Sequence, residues 1–191
     1  MTRPRLLGIS GSLRTGANST AILTTLANLV ADRADLTLHS IADVPLYNGD
    51  FEGDKLPDSV RALKAAIAGA DGLVLISPEY NYGISGVLKN ALDWASRPAF
   101  ASPLKGKPVL MMTSSAGPTG GVRAQQQLRT TLAATLSRAV ACPEVAVPAA
   151  ASKIENGELT DETSVKLVLA AFDELMNEVA RLHPAADSGQ E

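Results

Sequence analysis

The stretch RLLGISGSLRTGANST, residues 5–20, joins a short apolar run to a loop rich in glycine and hydroxyl side chains. The run from Arg5 to Ser10 lacks polar alternation, which is typical of a strand buried on both faces. The loop behind it leads into a segment of helical period that begins near Asn18. A strand, a glycine-bearing turn and a helix in this order predict the first half of a βαβ unit and hence a parallel sheet.

The rest of the chain repeats this alternation. Segments of helical period separate the apolar runs, and the clearest of them lies between Val165 and Leu182. Pro143 lies in the last run and cannot donate to a strand ladder, so that strand belongs at an edge. Together these features predict a doubly wound α/β fold with five parallel strands in the order 2-1-3-4-5 and helices on both faces. The four further strands are predicted at Leu36 to Ile41, Leu73 to Ser77, Val109 to Thr113 and Ala139 to Val147.

Length and composition limit the class of protein. A chain of 191 residues with 46% hydrophobic content is expected to form one domain over residues 1–191, with a frayed tail at about 184–191. The net charge of −3 argues against a nucleic-acid or membrane partner, because either would require a clustered basic face. Cys142 is the only cysteine, which excludes an intramolecular disulfide and a multi-cysteine metal site. The N-terminus lacks a signal-like apolar stretch, so we expect a cytoplasmic protein that acts on small molecules.

The predicted topology indicates where a ligand binds. In such sheets ligands lie beyond the carboxyl ends of the strands where the strand order reverses, here between strands 1 and 3. Polar, glycine-bearing loops follow strand 1, strand 3 at residues 77–83 and strand 4 at residues 113–121. We expect all three loops to meet at one edge of the sheet.

The first loop is suited to an anion. Its amides and the dipole of the helix that begins near Asn18 favour a phosphate group. Arg14 adds a planar cationic group that matches phosphate oxygens. A plain strand-to-helix turn with a serine cap would account for the same residues, but the position at the switch point favours binding. The hydroxyl donors of this loop are Ser10, Ser12, Thr15 and Ser19.

Several phosphate-handling motifs are absent from this loop. No lysine occurs between Met1 and Gly53, which excludes a Walker-type loop there. The glycines have the wrong spacing for a dinucleotide fingerprint, and the second strand ends in His39 and Ser40 instead of an acid. A phosphatase loop would have a cysteine where Ser10 stands. We interpret the loop as a site where a monophosphate is held and not processed.

The second loop suggests what the phosphate is attached to. Tyr80 and Tyr82 flank Asn81 in a loop that Pro78 opens and Gly83 closes. Backbone amides and aromatic faces in such a loop suit a flat heterocycle such as a flavin ring. Two tyrosines in a turn are by themselves more often packing residues, and the phosphate loop next to them favours the cofactor interpretation.

Three motifs together resemble the NADPH-dependent FMN reductase family of flavodoxin-like proteins, which includes quinone, chromate and azo-dye reductases. They are GSLR at 11–14, PEYNYGISGVLKNALDWASRP at 78–98 and GKPVLMMTSSAGPTGGVRAQQQLR at 106–129. The resemblance implies noncovalently bound FMN, NADPH or NADH as electron donor, and no bound metal. The implied cofactor-binding residues are Ser10, Ser12, Leu13, Arg14, Asn18, Ser19, Pro78, Glu79, Tyr80, Asn81, Tyr82, Ser115 and Gly117.

The chain departs from the family pattern at two places. Relatives usually have serine at the position of Ala17 and asparagine at that of Ser19, and we expect Asn18 to take over one of these roles. Relatives also often carry an aromatic residue near a subunit contact where this chain has Gln125 to Gln127. The resemblance therefore implies a homodimer and leaves a homotetramer open.

The function implied by the resemblance is a ping-pong, two-electron reduction of quinone-like, azo, metal or flavin acceptors. The cofactor carries the chemistry, so no side chain is predicted as acid, base or nucleophile. A flavodoxin-like electron carrier or flavin-binding module without NAD(P)H turnover remains the alternative. A regulatory domain that has lost the flavin is a second alternative.

Overall fold

The computed structural model describes residues 3–183, so the tail expected at 184–191 lies outside the described residues. A central sheet has the strand order β2-β1-β3-β5, and β6 and β7 pair in parallel with the far side of β5. This is the predicted order 2-1-3-4-5. The strands of this sheet are β1 (Arg5–Ser10), β2 (Asp35–Leu38), β3 (Gly72–Tyr80), β4 (Gly83–Ile84), β5 (Pro108–Ser114), β6 (Arg138–Ala139) and β7 (Val145–Val147). A separate hairpin pairs β8 (Ile154–Glu155) with β9 (Glu158–Leu159).

Five helices cover the two faces of the sheet, as predicted. Leu6 and Ile76 are buried on the face that α1 and α5 cover, while Leu7 and Leu75 are buried on the opposite face. The strands are apolar on both sides because each face packs against helices. The helices are α1 (Asn18–Leu29), α2 (Asp58–Gly69), α3 (Gly86–Ala95), α4 (Val122–Ala134) and α5 (Glu162–Leu182). Short 3₁₀ turns lie at Gly49–Phe51, Gly53–Lys55 and Ala150–Lys153.

Three strand predictions were wrong in their bounds. The second strand ends at Leu38, before the predicted Ile41. The third continues to Tyr80, so residues 77–80 of the predicted loop are strand, Asn81 and Tyr82 form a tight turn, and Gly83 begins β4. The predicted strand from Ala139 to Val147 is two short pieces, because the segment around Pro143 leaves the ladder between β6 and β7.

No helix within residues 3–183 is long and apolar enough to cross a membrane. The same residues contain no group of three or more His, Cys, Asp or Glu side chains arranged to hold a metal ion.

Candidate functional site

The three predicted loops meet at the carboxyl edge of the sheet around a cleft of about 290 Å³, which we call the cofactor cleft. One wall comes from the loop after β1 and the start of α1, a second from the end of β3, and a third from the end of β5. The prediction that these loops converge is confirmed. The residues that line the cofactor cleft are Ser12, Arg14, Ala17, Asn18, Ser19, Pro78, Glu79, Tyr80, Ser114, Ser115 and Ala116.

Ser10 ties the first loop to α1. Its hydroxyl oxygen lies 3.2 Å from the Ser19 hydroxyl and accepts a 2.9 Å hydrogen bond from the Thr20 hydroxyl. It also accepts a hydrogen bond of 3.3 Å from the backbone amide of Ser12. These contacts fix the loop against the first turn of the helix, so its hydroxyl groups are held in place before any ligand arrives.

The first turn of α1 has unused hydrogen-bond donors. Ala17 precedes the helix and supplies no side-chain acceptor, and no acidic residue lies in the first turn. The opening amides of a helix have no partner within the helix, and the positive end of the helix dipole lies there. Within residues 3–183, the Arg14 guanidinium donates one long hydrogen bond of 3.4 Å, to the carbonyl of Gly16, and forms no ion pair. This donor set fits a phosphate dianion.

Gly11 brings the loop against α3. Its amide donates a 2.7 Å hydrogen bond to the carbonyl of Ile76 in β3. A Cβ atom at this position would lie 2.8 Å from Ser85 Oγ and 3.2 Å from Leu88 Cβ. Only glycine permits this approach, because Ser85 is itself fixed as the cap of α3.

A two-residue turn follows β3. Asn81 and Tyr82 both adopt positive φ, at 50° and 65°, and this conformation closes tight hairpins. Tyr82 is 71% exposed, and the guanidinium of Arg123 lies 4.4 Å from the centre of its ring. The turn therefore presents an aromatic side chain beside the cleft, with a cation on one of its faces.

The carboxylate of Glu79 is bound by residues at the start of α4. One carboxylate oxygen accepts hydrogen bonds of 3.0 and 3.1 Å from the amides of Arg123 and Ala124, at the start of α4. The other oxygen lies 3.8 Å from the Arg123 guanidinium. Glu79 thus caps α4 and connects the end of β3 to it, so its carboxylate is engaged within the protein.

The third loop is closed by its own hydrogen bonds. Ser115 donates from its hydroxyl to the carbonyl of Gly117 at 3.1 Å, and its amide donates to Val147. Gly120 and Gly121 have positive φ at the entrance to α4. A Cβ atom on Gly120 would lie 2.7 Å from the backbone of the strand β7. This loop is consequently packed tightly between β5 and β7.

Comparison with known proteins agrees with this geometry. The family model described as NADPH-dependent FMN reductase matches residues 4–152. The chain belongs to this family. It is 39% identical over 179 residues to an NAD(P)H-dependent FMN reductase of Pseudomonas aeruginosa, covering 93% of this chain and 96% of the relative. It is 37% identical over 182 residues to a quinone reductase of Escherichia coli K12, covering 92% and 96%.

The solved structure of a flavoenzyme superimposes on this fold. FerB, a flavoenzyme NAD(P)H:(acceptor) oxidoreductase from Paracoccus denitrificans, matches with a TM-score of 0.85 and 31% identity, over 93% of this chain and 98% of FerB. As an FMN reductase family member, the chain is an oxidoreductase with FMN as cofactor and NAD(P)H as electron donor. The predictions of family, enzyme class and cofactor are confirmed.

The structure brings most of the predicted binding residues together at the cofactor cleft and places the others elsewhere. Eight of them line the cofactor cleft: Ser12, Arg14, Asn18, Ser19, Pro78, Glu79, Tyr80 and Ser115. Ser10 and Leu13 instead line an adjoining cleft behind the first loop. Tyr82 lines a wide cleft between α3 and α4, whereas Asn81 and Gly117 line none of these clefts.

Sequence reasoning missed two glutamines that position the site. Gln125 is buried, and its side-chain amide donates a 2.7 Å hydrogen bond to the carbonyl of Val145. Gln127 accepts a 2.7 Å hydrogen bond from the amide of Ile84, just after the Tyr82 turn. These contacts join segments that are far apart in the chain, so no local sequence pattern predicts them.

Proposed function

We propose that this chain is an FMN-dependent oxidoreductase that takes electrons from NAD(P)H and delivers them in pairs to quinone-class acceptors. The observation that carries the proposal is the cofactor cleft, where an uncapped helix start and the Arg14 guanidinium face the ends of β3 and β5. The relative named quinone reductase supports the class of acceptor. We propose that residues 1–191 act as a single domain, and that the site works in the cytoplasm, where NAD(P)H is available.

The phosphate end of the site is assigned to the first loop. Ser12 and Arg14 would hold the FMN phosphate together with the opening amides of α1 at Asn18 and Ser19. Ser10 acts through Ser12 and Ser19, because its hydroxyl contacts both the Ser12 amide and the Ser19 hydroxyl. Leu13 faces the adjoining cleft and contributes to FMN binding through the backbone of the loop.

The ring end of the site is assigned to the second and third loops. Backbone atoms of Pro78, Glu79 and Tyr80 would contact the flavin from one side, and Ser115 would contact it from the third loop. Asn81 and Tyr82 shape this wall through the turn that follows, with Arg123 holding the Tyr82 ring. Gly117 supports the wall by accepting the Ser115 hydroxyl hydrogen bond.

Bound FMN would supply the redox chemistry, by accepting hydride from NAD(P)H and passing two electrons to the acceptor. The residues of this chain bind and orient the reactants. Because the cofactor would carry the chemistry, we assign no side chain as general acid, base or nucleophile. Donor and acceptor use the same open side of the cleft in turn, which corresponds to a ping-pong mechanism.

A homodimer that pairs the α3–α4 faces fits the exposed side chains there. Tyr82 and Phe100 are 71% and 73% exposed and line a cleft of about 820 Å³ between these helices. Large exposed apolar side chains around one cleft favour burial by a partner. Gln125 and Gln127 are engaged inside the chain, whereas Gln126 lines the same cleft and would meet the dimer partner, so a homotetramer would need a further contact surface.

Two-substrate steady-state kinetics tests the proposal. FMN-loaded protein is assayed with NADPH and a soluble benzoquinone, each varied at several fixed concentrations of the other. Parallel double-reciprocal lines are expected. Turnover no greater than that of free FMN would identify an electron carrier instead of an enzyme, and intersecting lines would refute the ping-pong order. Sedimentation velocity checks the dimer, which Phe100→Asp is expected to dissociate and an unchanged sedimentation coefficient of the variant would contradict.

A further inference from the structure

A second cleft lies directly behind the phosphate loop. It has a volume of about 330 Å³ and lies between the loop after β1 and residues 38–42, which follow β2. This is the adjoining cleft lined by Ser10 and Leu13, and we call it the adenylate-side cleft for the group proposed to bind there. Ser12 and Arg14 line it as well as the cofactor cleft. The phosphate loop therefore separates two adjacent cavities and presents the same cationic side chain to both.

The walls of the adenylate-side cleft include apolar side chains left open to solvent. Leu13 is 50% exposed and Leu38 is 42% exposed, and the two come from different segments. Ile41 lines the same cleft and is buried. Apolar side chains from different segments around a narrow cleft suit a flat and largely apolar group such as a purine base.

Polar groups complete this cleft without adding negative charge. Hydroxyl groups come from Thr15 and Ser40, and the Ser40 oxygen accepts a 3.3 Å hydrogen bond from the amide of Ala42. Partial burial lowers the pKa of His39, so its imidazole is neutral at pH 7 and can both donate and accept a hydrogen bond. None of the described residues that line the cleft is a carboxylate. A sugar and a phosphate are therefore accommodated without charge repulsion.

We propose that the adenylate-side cleft takes the adenosine monophosphate half of a dinucleotide, so that the chain accepts FAD as well as FMN. The proposal rests on the proposed FMN site and extends it. Arg14 reaches both cavities, which places it at the junction where a pyrophosphate would cross. The segment after β2 adjoins the phosphate loop because β2 pairs with β1. NAD(P)H carries the same adenylate group, and the shared phosphate loop favours FAD as its source.

Flavin titrations separate the two cofactors. Apoprotein is titrated with FMN, FAD and riboflavin, and binding is followed by flavin fluorescence. We expect FAD to bind within about tenfold of FMN. Leu38→Asp removes an apolar side chain from the cleft and adds a negative charge. It is expected to weaken FAD binding by about tenfold or more and to leave FMN affinity unchanged. Leu46→Asp, at a leucine that is 85% exposed and lines no part of this cleft, is the control and should change neither.

Each other outcome overturns the proposal. FMN binding with FAD more than about tenfold weaker would reject the adenylate assignment and leave the proposed function intact. Binding of neither flavin would reject both. A Leu38→Asp variant with normal FAD affinity but a raised KM for NADPH would assign the cleft to the electron donor instead.

Discussion

The carboxylate of Glu79, near the end of β3, accepts a 3.0 Å hydrogen bond from the backbone amide of Arg123, in the first turn of α4. The guanidinium of the same arginine covers the Tyr82 ring at 4.4 Å. One pair of residues therefore fixes the start of α4 and the aromatic turn beside the cofactor cleft. The wall of the site depends on a contact between the end of β3 and the start of α4.

Loss of the Glu79 cap should destabilise the protein. Glu79→Ala leaves two amides in the first turn of α4 without an acceptor, which is expected to lower the free energy of unfolding by about 1–2 kcal/mol. Glu79→Gln retains an amide oxygen as acceptor, so its free energy of unfolding should fall less than that of Glu79→Ala. Urea unfolding of the three proteins measures the difference. Equal midpoints for Glu79→Ala and the parent chain would contradict the capping role.

A methyl group at Gly11 should push the phosphate loop away from α3. Gly11→Ala places a Cβ atom 2.8 Å from Ser85 Oγ, and we expect a loss of about 1–3 kcal/mol in unfolding free energy and weaker FMN binding. Gly86→Ala is the matched control, because it follows Ser85 directly and its Cβ would meet no atom within 4 Å. Thermal unfolding measures the stability of both variants. An equal loss of stability in Gly11→Ala and Gly86→Ala would refute the steric explanation.

The first loop was predictable because its signals are local. An apolar run ends at Ser10, and helical period begins near Asn18, so the strand, turn and helix follow from the order of residue types. The strand order and the convergence of the three loops then follow from general rules of α/β sheets.

The second loop was only partly predictable. Pro78 and the turn residues after it indicated a loop, yet β3 runs on to Tyr80. Pro78 pairs with Ser114 of β5 and lies beyond the last residue of β3 that pairs with β1. A proline is tolerated there because, at this position, β3 has a parallel neighbour on one side only. The number of neighbours at Pro78 depends on where β1 ends, and the local sequence around Pro78 does not predict that.

Contacts made by the glutamines of α4 could not be predicted for a related reason. Gln127 reaches Ile84 across 43 positions, and Gln125 reaches Val145 across 20. In the sequence these side chains are ordinary helix-forming residues. Their roles appear only once α4 is packed against the turn after β3 and against β7.

The start of α5 should make stability depend on pH in the acid range. The pKa of Asp161 is lowered from 3.8 to about 2, first by the Ser164 hydroxyl and amide hydrogen bonds and then by Lys153. Because the folded pKa is the lower one, this stabilisation is complete above pH 3.8 and is lost as pH falls toward about 2. Asp161→Asn should therefore be less stable than the parent chain, with a difference that shrinks across this range. A difference in urea midpoint that stays constant with pH would contradict the assignment.

The assignment of the first loop as the phosphate site has a direct test in Arg14→Ala. This side chain is exposed and makes one long hydrogen bond within its own loop, so the unfolding free energy should change by less than about 0.5 kcal/mol. Arg61→Ala, at an exposed arginine of α2, is the control for loss of a positive charge.

The measurement is the dissociation constant of FMN and of riboflavin for the parent chain, Arg14→Ala and Arg61→Ala, by flavin fluorescence. Loss of a charge-assisted hydrogen bond should weaken FMN binding by about tenfold or more in Arg14→Ala. Riboflavin, which lacks the phosphate, should bind all three proteins equally. FMN affinity that is unchanged in Arg14→Ala, or a loss that is equal for FMN and riboflavin, would contradict the phosphate site.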